Sequence, residues 1–169
     1  MFRKISLALL VCLISFNAIA QKKYRIMGDP AVGSKFRPVE VESFIPFNKR
    51  YQQLSNEQKD LFRANYGVLK ESEHPPFPKK GMRSIYKPII KGHAKVSQGG
   101  TLFAVAMVDE NGIVENVAVY ESPAPAITEL AQAVLLSTEF DPALCDGNPC
   151  KMEFPFEFKM RNRQKAVVR

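Results

Sequence analysis

The sequence predicts an α+β domain in which a three-stranded antiparallel sheet packs against helices. Residues 152–160 alternate apolar and polar side chains with a period of two, which indicates a strand with one buried face. A short apolar run at residues 102–108 leads into Asn111-Gly112, and Asn-Gly is the strongest short signal for a hairpin. Apolar residues at helical spacing occur before and after this hairpin, so helices are expected on both sides of it.

The first twenty residues are typical of a secretory signal peptide. Two basic residues precede an apolar run, and Ala18-Ile19-Ala20 supplies the small side chains of a cleavage site. We therefore expect residues 1–20 to be removed by cleavage between Ala20 and Gln21, and the protein to reside in the periplasm. The alternative is a retained inner-membrane anchor that faces the periplasm, although residues 5–20 are fewer than the about 20 that a spanning helix needs.

The distribution of charged residues indicates which class of binding partner to expect. The chain has 24 Lys and Arg against 17 Asp and Glu, and the basic residues are spread over both ends, including a tail at residues 161–169. They form no basic stripe interleaved with aromatic side chains, which stacking on nucleic acid requires. We expect partners among proteins of the bacterial envelope and no nucleic acid, with membrane contact only if the N-terminal segment is retained.

Two cysteines remain after removal of the signal segment, which contains the third. Cys145 and Cys150 enclose Asp-Gly-Asn-Pro, all of them turn-forming residues. An exported protein meets an oxidising compartment, so we expect the two cysteines to form a disulfide bond. The spacing lacks the C-x-x-C redox motif, and two thiols without further ligands make a poor zinc site.

The chain before the sheet divides into two predicted segments. Residues 21–50 are expected to form an extended arm with one short strand near residues 36–44, and residues 51–75 a helical extension. Ser55 and Gln58 form a capping box at the start of that helix. The apolar stripe of this helix is Leu61, Phe62, Tyr66 and Leu69. Prolines at residues 75–78 then predict an extended segment.

The predicted domain occupies residues 76–160. A helix is expected within residues 79–96, kinked or divided at Pro88. The return strand of the hairpin should cover residues 113–120, with Ile113, Val117 and Val119 on one face. The buried face of the following helix should consist of Ile127, Leu130, Ala131, Val134 and Leu135. Pro155 cannot donate a ladder hydrogen bond, so the closing strand should lie at a sheet edge or carry a bulge.

Several short motifs follow one another in a characteristic order. They are Phe77-Pro78, Gly100-Thr101-Leu102, Asp109-Glu110-Asn111-Gly112-Ile113-Val114, Leu130-Ala131-Gln132-Ala133-Val134, Phe140-Asp141-Pro142-Ala143 and Gly147-Asn148-Pro149, followed by the alternating strand. This ordered set resembles the C-terminal domain of the TonB family over residues 76–160. The resemblance implies a small α+β interaction domain.

The resemblance also implies a mechanical role without cofactors. TonB proteins reach from an inner-membrane motor to outer-membrane receptors, and a receptor segment, the TonB box, pairs with the free edge of the closing strand by β-augmentation. In this chain that edge would consist of Lys151, Glu153, Pro155, Glu157 and Lys159. The alternative is a TolA-like envelope-integrity or assembly protein that uses the fold without energy transduction, since no Pro-rich spacer is evident and Pro155 interrupts the edge.

An enzyme is the least favoured class. His74 and His93 are the two histidines of the chain, and each neighbours Pro or Gly in an expected loop. The motifs of serine hydrolases, zinc proteases and phosphate-binding loops are absent from the sequence. We expect no catalytic residues, cofactor or metal.

Overall fold

Three α-helices, one short 3₁₀ helix (Tyr51–Gln53) and nine strands form in the part of the chain that the computed structural model describes, residues 22–28, 40–96 and 98–160. The predicted signal segment with its cleavage site at Ala20 and Gln21, and the basic tail at residues 161–169, lie outside the described residues. In chain order the elements are β1 (Tyr24–Met27), β2 (Glu40–Ser43), α1 (Asn56–Arg63), β3 (Phe77–Pro78), α2 (Arg83–Val96), β4 (Gly100–Val108), β5 (Val114–Glu121), α3 (Pro125–Leu136), β6 (Phe140–Asp141), β7 (Ala143–Cys145), β8 (Asn148–Cys150) and β9 (Met152–Met160).

The main sheet has the strand order β5-β4-β9, and both pairings are antiparallel. One face of the sheet carries the core, because alternate residues of the central strand β4 are fully buried. These residues are Leu102, Ala104, Ala106 and Val108. Helices α2 and α3 pack against each other, and buried residues of both join these strand residues in one hydrophobic core. The predicted α+β class, with a three-stranded antiparallel sheet against helices, is confirmed.

Strand β9 matches its predicted pattern. Phe154, Phe156 and Phe158 are buried, whereas Glu153 and Glu157 are exposed. The strand pairs with β4 over its whole length without a register shift. Among the described residues β4 is its only strand partner, so β9 lies at the edge of the sheet, which is one of the two alternatives predicted from Pro155.

Strand β5 differs from its prediction because of a β-bulge. Val108 pairs with Val114, but the preceding residue of β4 pairs with Asn116, so Glu115 is an extra residue in β5. The extra residue inverts the alternation. Val114 is therefore buried and Ile113 is 53% exposed, opposite to the expectation that Ile113 faces the core.

The N-terminal segment contains more structure than an extended arm with one strand. Strands β1 and β2 pair as an antiparallel ribbon, with Ile26 in the core. The predicted capping box at Ser55 and Gln58 is present, with both reciprocal hydrogen bonds formed. However, α1 ends at Arg63, so Tyr66 and Leu69 of the predicted stripe lie beyond the helix. Hydrogen bonds between residues three apart replace the helical pattern there.

Helix α2 is continuous through Pro88 and is not divided. Proline removes one helical hydrogen bond, and the remaining helix is held by a buried face that includes Ile85, Ile89 and Ile90. His93 belongs to the same buried face and is 0% exposed. The prediction that His93 lies in a loop is therefore wrong. The helical pattern continues past Gly92 because the absent side chain there makes room for Leu130 of α3.

The Pro-rich segment is extended and pairs with the other end of the domain. Strand β3 pairs with β6, and Phe77 of the one and Phe140 of the other are both fully buried in the core. Phe62 of α1 packs on Phe77 with the ring centroids 5.0 Å apart, edge to face. The helical extension is therefore anchored to the same core as the sheet.

Candidate partner-binding edge

The candidate site is the free edge of β9. Four of its five predicted residues lie in this strand, and the fifth lies just before it. Glu153, Pro155, Glu157 and Lys159 lie in β9, on the sheet face that points away from the helices. Lys151 precedes the strand, and its ammonium forms an ion pair with Glu115 of β5, on the opposite side of the sheet. Lys151 therefore lies just outside β9, with its side chain at the rim of the open sheet face.

The backbone of β4 determines which groups of β9 face outward. The Asp109 amide donates to the Ile113 carbonyl at 2.9 Å, so the backbone of Asp109 faces β5. Backbone groups of a strand change sides at every residue, so the groups of Val105, four residues earlier, also face β5. Pro155 is the β9 partner of Val105. We infer that Pro155 and every second residue from it direct their backbone groups to the free edge.

A hydrogen bond from α2 supports this direction independently. The Tyr86 hydroxyl donates to the Glu157 carbonyl at 3.4 Å. Glu157 lies two residues from Pro155, so its carbonyl is on the same side. Tyr86 therefore reaches the outer edge of β9 and offers a donor to one of the carbonyls that a partner strand would use.

Aromatic rings form a layer beneath this edge. The Tyr86 ring packs on Phe156 and Phe158, with ring centroids 5.0 and 5.7 Å away, and Phe47 of the N-terminal segment packs on Tyr86 at 5.2 Å. Burial, together with the nearby charge of Glu157, raises the pKa of Tyr86 to about 12. The hydroxyl consequently keeps its proton at neutral pH and remains a hydrogen-bond donor.

Tyr86 is a residue of the site that sequence reasoning did not identify. It belongs to an apolar stripe at helical spacing, which predicts core packing and nothing more. The signal that could have found it is the hydroxyl itself, because a largely buried tyrosine needs a partner for its polar tip. The sequence does not show that this partner is a strand carbonyl 71 residues away.

The predicted cysteine pair lies directly before the edge strand. Cys145 and Cys150 are joined, with Cα atoms 5.8 Å apart, and they close the β7–β8 hairpin. Its turn uses left-handed backbone at both Asp146 and Gly147, with φ of 50° and 86°. The Asp146 carboxylate accepts a hydrogen bond from Ser72, which ties the hairpin to the segment before β3. The disulfide hairpin thus holds the point at which the chain enters β9.

The two histidines are separate from each other and from the edge. His74 is exposed, and its ring packs on Tyr51 with centroids 5.7 Å apart. His93 is buried, and its Nε2 is 2.8 Å from the Gln98 carbonyl oxygen. Within the described ranges, no group of three or more His, Cys, Asp or Glu side chains is arranged to hold a metal ion.

The described helices are all too short or too polar to cross a membrane. The sequence matches no protein-family model and no curated protein. The interpretation of the β9 edge therefore rests on its own geometry.

Proposed function

We propose that this protein is a TonB-like periplasmic interaction module that binds an extended segment of an envelope protein along the free edge of β9. The observation that carries the proposal is the unpaired outer edge of a long, regular strand, from Met152 to Met160, in the described part of the chain. The outward amides of Glu153, Glu157 and Lys159 can donate to a partner strand, and the outward carbonyls of Glu153, Pro155 and Lys159 can accept from it.

The side chains beside the edge would select the partner. Glu153, Glu157 and Lys159 are exposed on the open sheet face, next to the position of an added strand. Lys159 forms an ion pair with Glu157 at 3.1 Å, whereas Glu153 has no ion-pair partner in the described part of the chain. A partner segment with a basic residue opposite Glu153 would therefore bind best, because opposite charges on adjacent strands attract.

The order of motifs along the chain supports a receptor as the partner. It resembles the TonB pattern, in which the segment bound is the TonB box of an outer-membrane receptor. A periplasmic location rests on the predicted signal peptide. N-terminal sequencing of the protein from the cell envelope tests it, and a start at Gln21 is the expected result.

Pro155 favours a second candidate function. Its missing N–H faces the free edge, and an outward proline on an edge strand discourages pairing with other chains. A TolA-like envelope-integrity or assembly protein, which reuses the fold without energy transduction, would benefit from such an edge. The two candidates differ in whether an extended receptor segment binds to β9.

Replacing Pro155 by Val tests the proposal. The substitution restores one outward donor, and a net hydrogen bond contributes about 0.5–1.5 kcal/mol. Binding of a receptor-derived TonB-box peptide, measured by titration calorimetry, should strengthen by up to about tenfold. Pro149→Val is the matched control, because Pro149 is an exposed strand proline in β8, away from the edge.

The outcome separates the two candidates. Tighter binding by Pro155→Val and unchanged binding by Pro149→Val would support receptor coupling through β9. If neither the wild-type protein nor Pro155→Val binds any receptor peptide, the coupling proposal is wrong and the assembly candidate is favoured.

A further inference from the structure

The solvent face of α2 carries a row of cations. Arg83, Lys87, Lys91 and Lys95 follow one another at intervals of four residues, and all are exposed. Lys80, just before the helix, is also exposed. From Arg83 to Lys95 the row is about 18 Å long at 1.5 Å per residue. We call these five residues the α2 basic face.

The charges of this face are not neutralised within the described structure. Helix α2 contains no Asp or Glu, and no described carboxylate lies within ion-pair distance of any residue of the face. Other exposed cations do have such partners, among them Lys23, Lys70 and Lys159. Other exposed cations, such as Lys49 and Arg50, are also unpaired, but in the described part of the chain only α2 carries four unpaired cations at intervals of four residues.

Apart from Lys95, which stands in the last turn where the helix dipole favours a cation, the arrangement opposes the stability of the helix that bears it. Like charges four residues apart on a helix repel each other. Arg83 also stands in the first turn, where the helix dipole disfavours a cation. No acidic residue in the first turn offsets it. An external anion would relieve both repulsions.

The shape of the face indicates what kind of anion fits. Four of its cations surround a shallow recess of about 480 Å³, which Ser84 and Pro88 complete. None of the large apolar side chains that are exposed in the described structure belongs to α2. The face thus lacks the aromatic or aliphatic anchor around which most protein interfaces are built. It also lacks the apolar residues with which an amphipathic helix inserts into a bilayer.

We propose that the α2 basic face docks the domain electrostatically on a membrane surface that bears anionic phospholipid headgroups. Residues four apart on a helix are offset by about 40° around its axis, so Arg83, Lys87 and Lys91 lie within an arc of about 80° and can face a flat layer of phosphates together. No large exposed apolar side chain stands between them, and the recess admits one headgroup among four cations. Ile85, Ile89 and His93 point from α2 into the core, so the sheet lies behind the helix. Docking in this orientation leaves the β9 edge free, and it is independent of the function proposed for that edge.

Co-sedimentation with vesicles at low ionic strength tests the proposal. The probe is a vesicle of equal parts phosphatidylcholine and phosphatidylglycerol, compared with phosphatidylcholine alone. The test variant replaces Arg83, Lys87 and Lys91 by Gln. Each cation held near an anionic surface strengthens binding about fivefold, so we expect the triple variant to bind about a hundredfold more weakly.

The matched control removes the same net charge elsewhere. It replaces Lys23, Lys70 and Lys159 by Gln, all of which are ion-paired cations away from α2. Gln is tolerated in helices, and unfolding midpoints of both variants near the wild-type value verify the fold. The control should bind anionic vesicles far more tightly than the α2 variant, and added salt should abolish binding in both.

Three results would overturn the proposal. One is a wild-type protein that binds anionic and neutral vesicles equally or not at all. Another is a control that loses as much affinity as the α2 variant, which would mean that net charge alone attracts the protein. In the third, the protein binds polyglutamate through the α2 cations but does not bind vesicles. The α2 basic face would then be a site for an acidic polypeptide.

Discussion

The two edge strands of the sheet, β5 and β9, both pair with β4 but differ in how they are built. Strand β9 pairs residue by residue without a shift and buries four large side chains, whereas β5 has two register shifts and buries Val114. Tyr120 near the end of β5 is 70% exposed. Strand β9 thus contributes most of the sheet's aromatic core, while β5 covers the other flank with little burial.

The two edges limit unwanted pairing with other chains in different ways. A bulge twists a strand and interrupts its row of backbone groups, and β5 carries one at Glu115. Strand β9 is regular, and its edge is modified at two points: Pro155 lacks a donor, and the Glu157 carbonyl already accepts from Tyr86. An edge that is restricted without being distorted can still accept a partner, which is why the proposed binding site is β9 and not β5.

The largest expected effect distinguishes the two strands by stability. Phe156→Ala removes a buried ring that packs on Tyr86, so the free energy of unfolding should fall by about 3–5 kcal/mol. Val119→Ala in β5 removes two half-buried methyl groups and should cost about 1 kcal/mol. Urea unfolding of both variants measures the difference. A loss below about 1 kcal/mol for Phe156→Ala would contradict the assigned role of β9.

A second prediction concerns the turn that connects β4 to β5. Gly112 has a φ of 81°, and a Cβ there would overlap the backbone oxygen of Phe140. The Gly112 carbonyl also accepts the Phe140 amide at 2.9 Å. Gly112→Ala should therefore destabilise the protein by about 2–3 kcal/mol, because left-handed strain and backbone overlap add.

The turn of the cysteine hairpin supplies the control for Gly112. Gly147 has a similar φ of 86°, but nothing lies within 4 Å of a Cβ built on it. Gly147→Ala should cost about 1–2 kcal/mol, which is the conformational strain alone. Equal losses for the two glycines, measured by thermal or urea unfolding, would show that β5 is not held by close contact with Phe140.

The third and smallest predicted effect concerns the disulfide-linked hairpin that precedes β9 and its contribution to the free energy of unfolding. Replacing Cys145 and Cys150 by Ser should lower the free energy of unfolding by about 2 kcal/mol, because a loop this short restricts the unfolded chain little. Thiol labelling of the unreduced protein, mapped by mass spectrometry, should modify neither Cys145 nor Cys150. Two labels per chain would show that the hairpin is not cross-linked in the cell.

Much of the fold was predictable because its signals are local. The alternation in residues 152–160 reports the buried face of β9, and the capping box at Ser55 marks the start of α1. The bulge in β5 was not predictable in this way. Its position depends on the hydrogen bonds that form around Asp109 in the hairpin. The carboxylate of Asp109 accepts hydrogen bonds from the backbone amides of Asn111 and Ile113.

The candidate site was predictable only in part. The sequence shows that Pro155 interrupts a strand. It does not show on which side of β9 the missing N–H would lie, because that depends on which residues of β4 direct their backbone groups toward β5, counted from Asp109 in the hairpin. His93 shows the same limit. A histidine next to Gly92 resembles a loop residue in the sequence, and it is buried because α2 packs so closely on α3 that Leu130 occupies the space beside that glycine.

The sequence by itself determined the α+β class, the buried face of β9 and the cysteine pair, because each depends on alternation, turn chemistry or spacing within a short segment. The tertiary structure decided that the N-terminal segment pairs as a ribbon, that Tyr86 reaches the Glu157 carbonyl, and that the cations of α2 remain unpaired. These features require the positions of elements that are distant in the chain. Backbone preferences act over a few residues, whereas pairing partners and unpaired charges are defined only after the elements have packed.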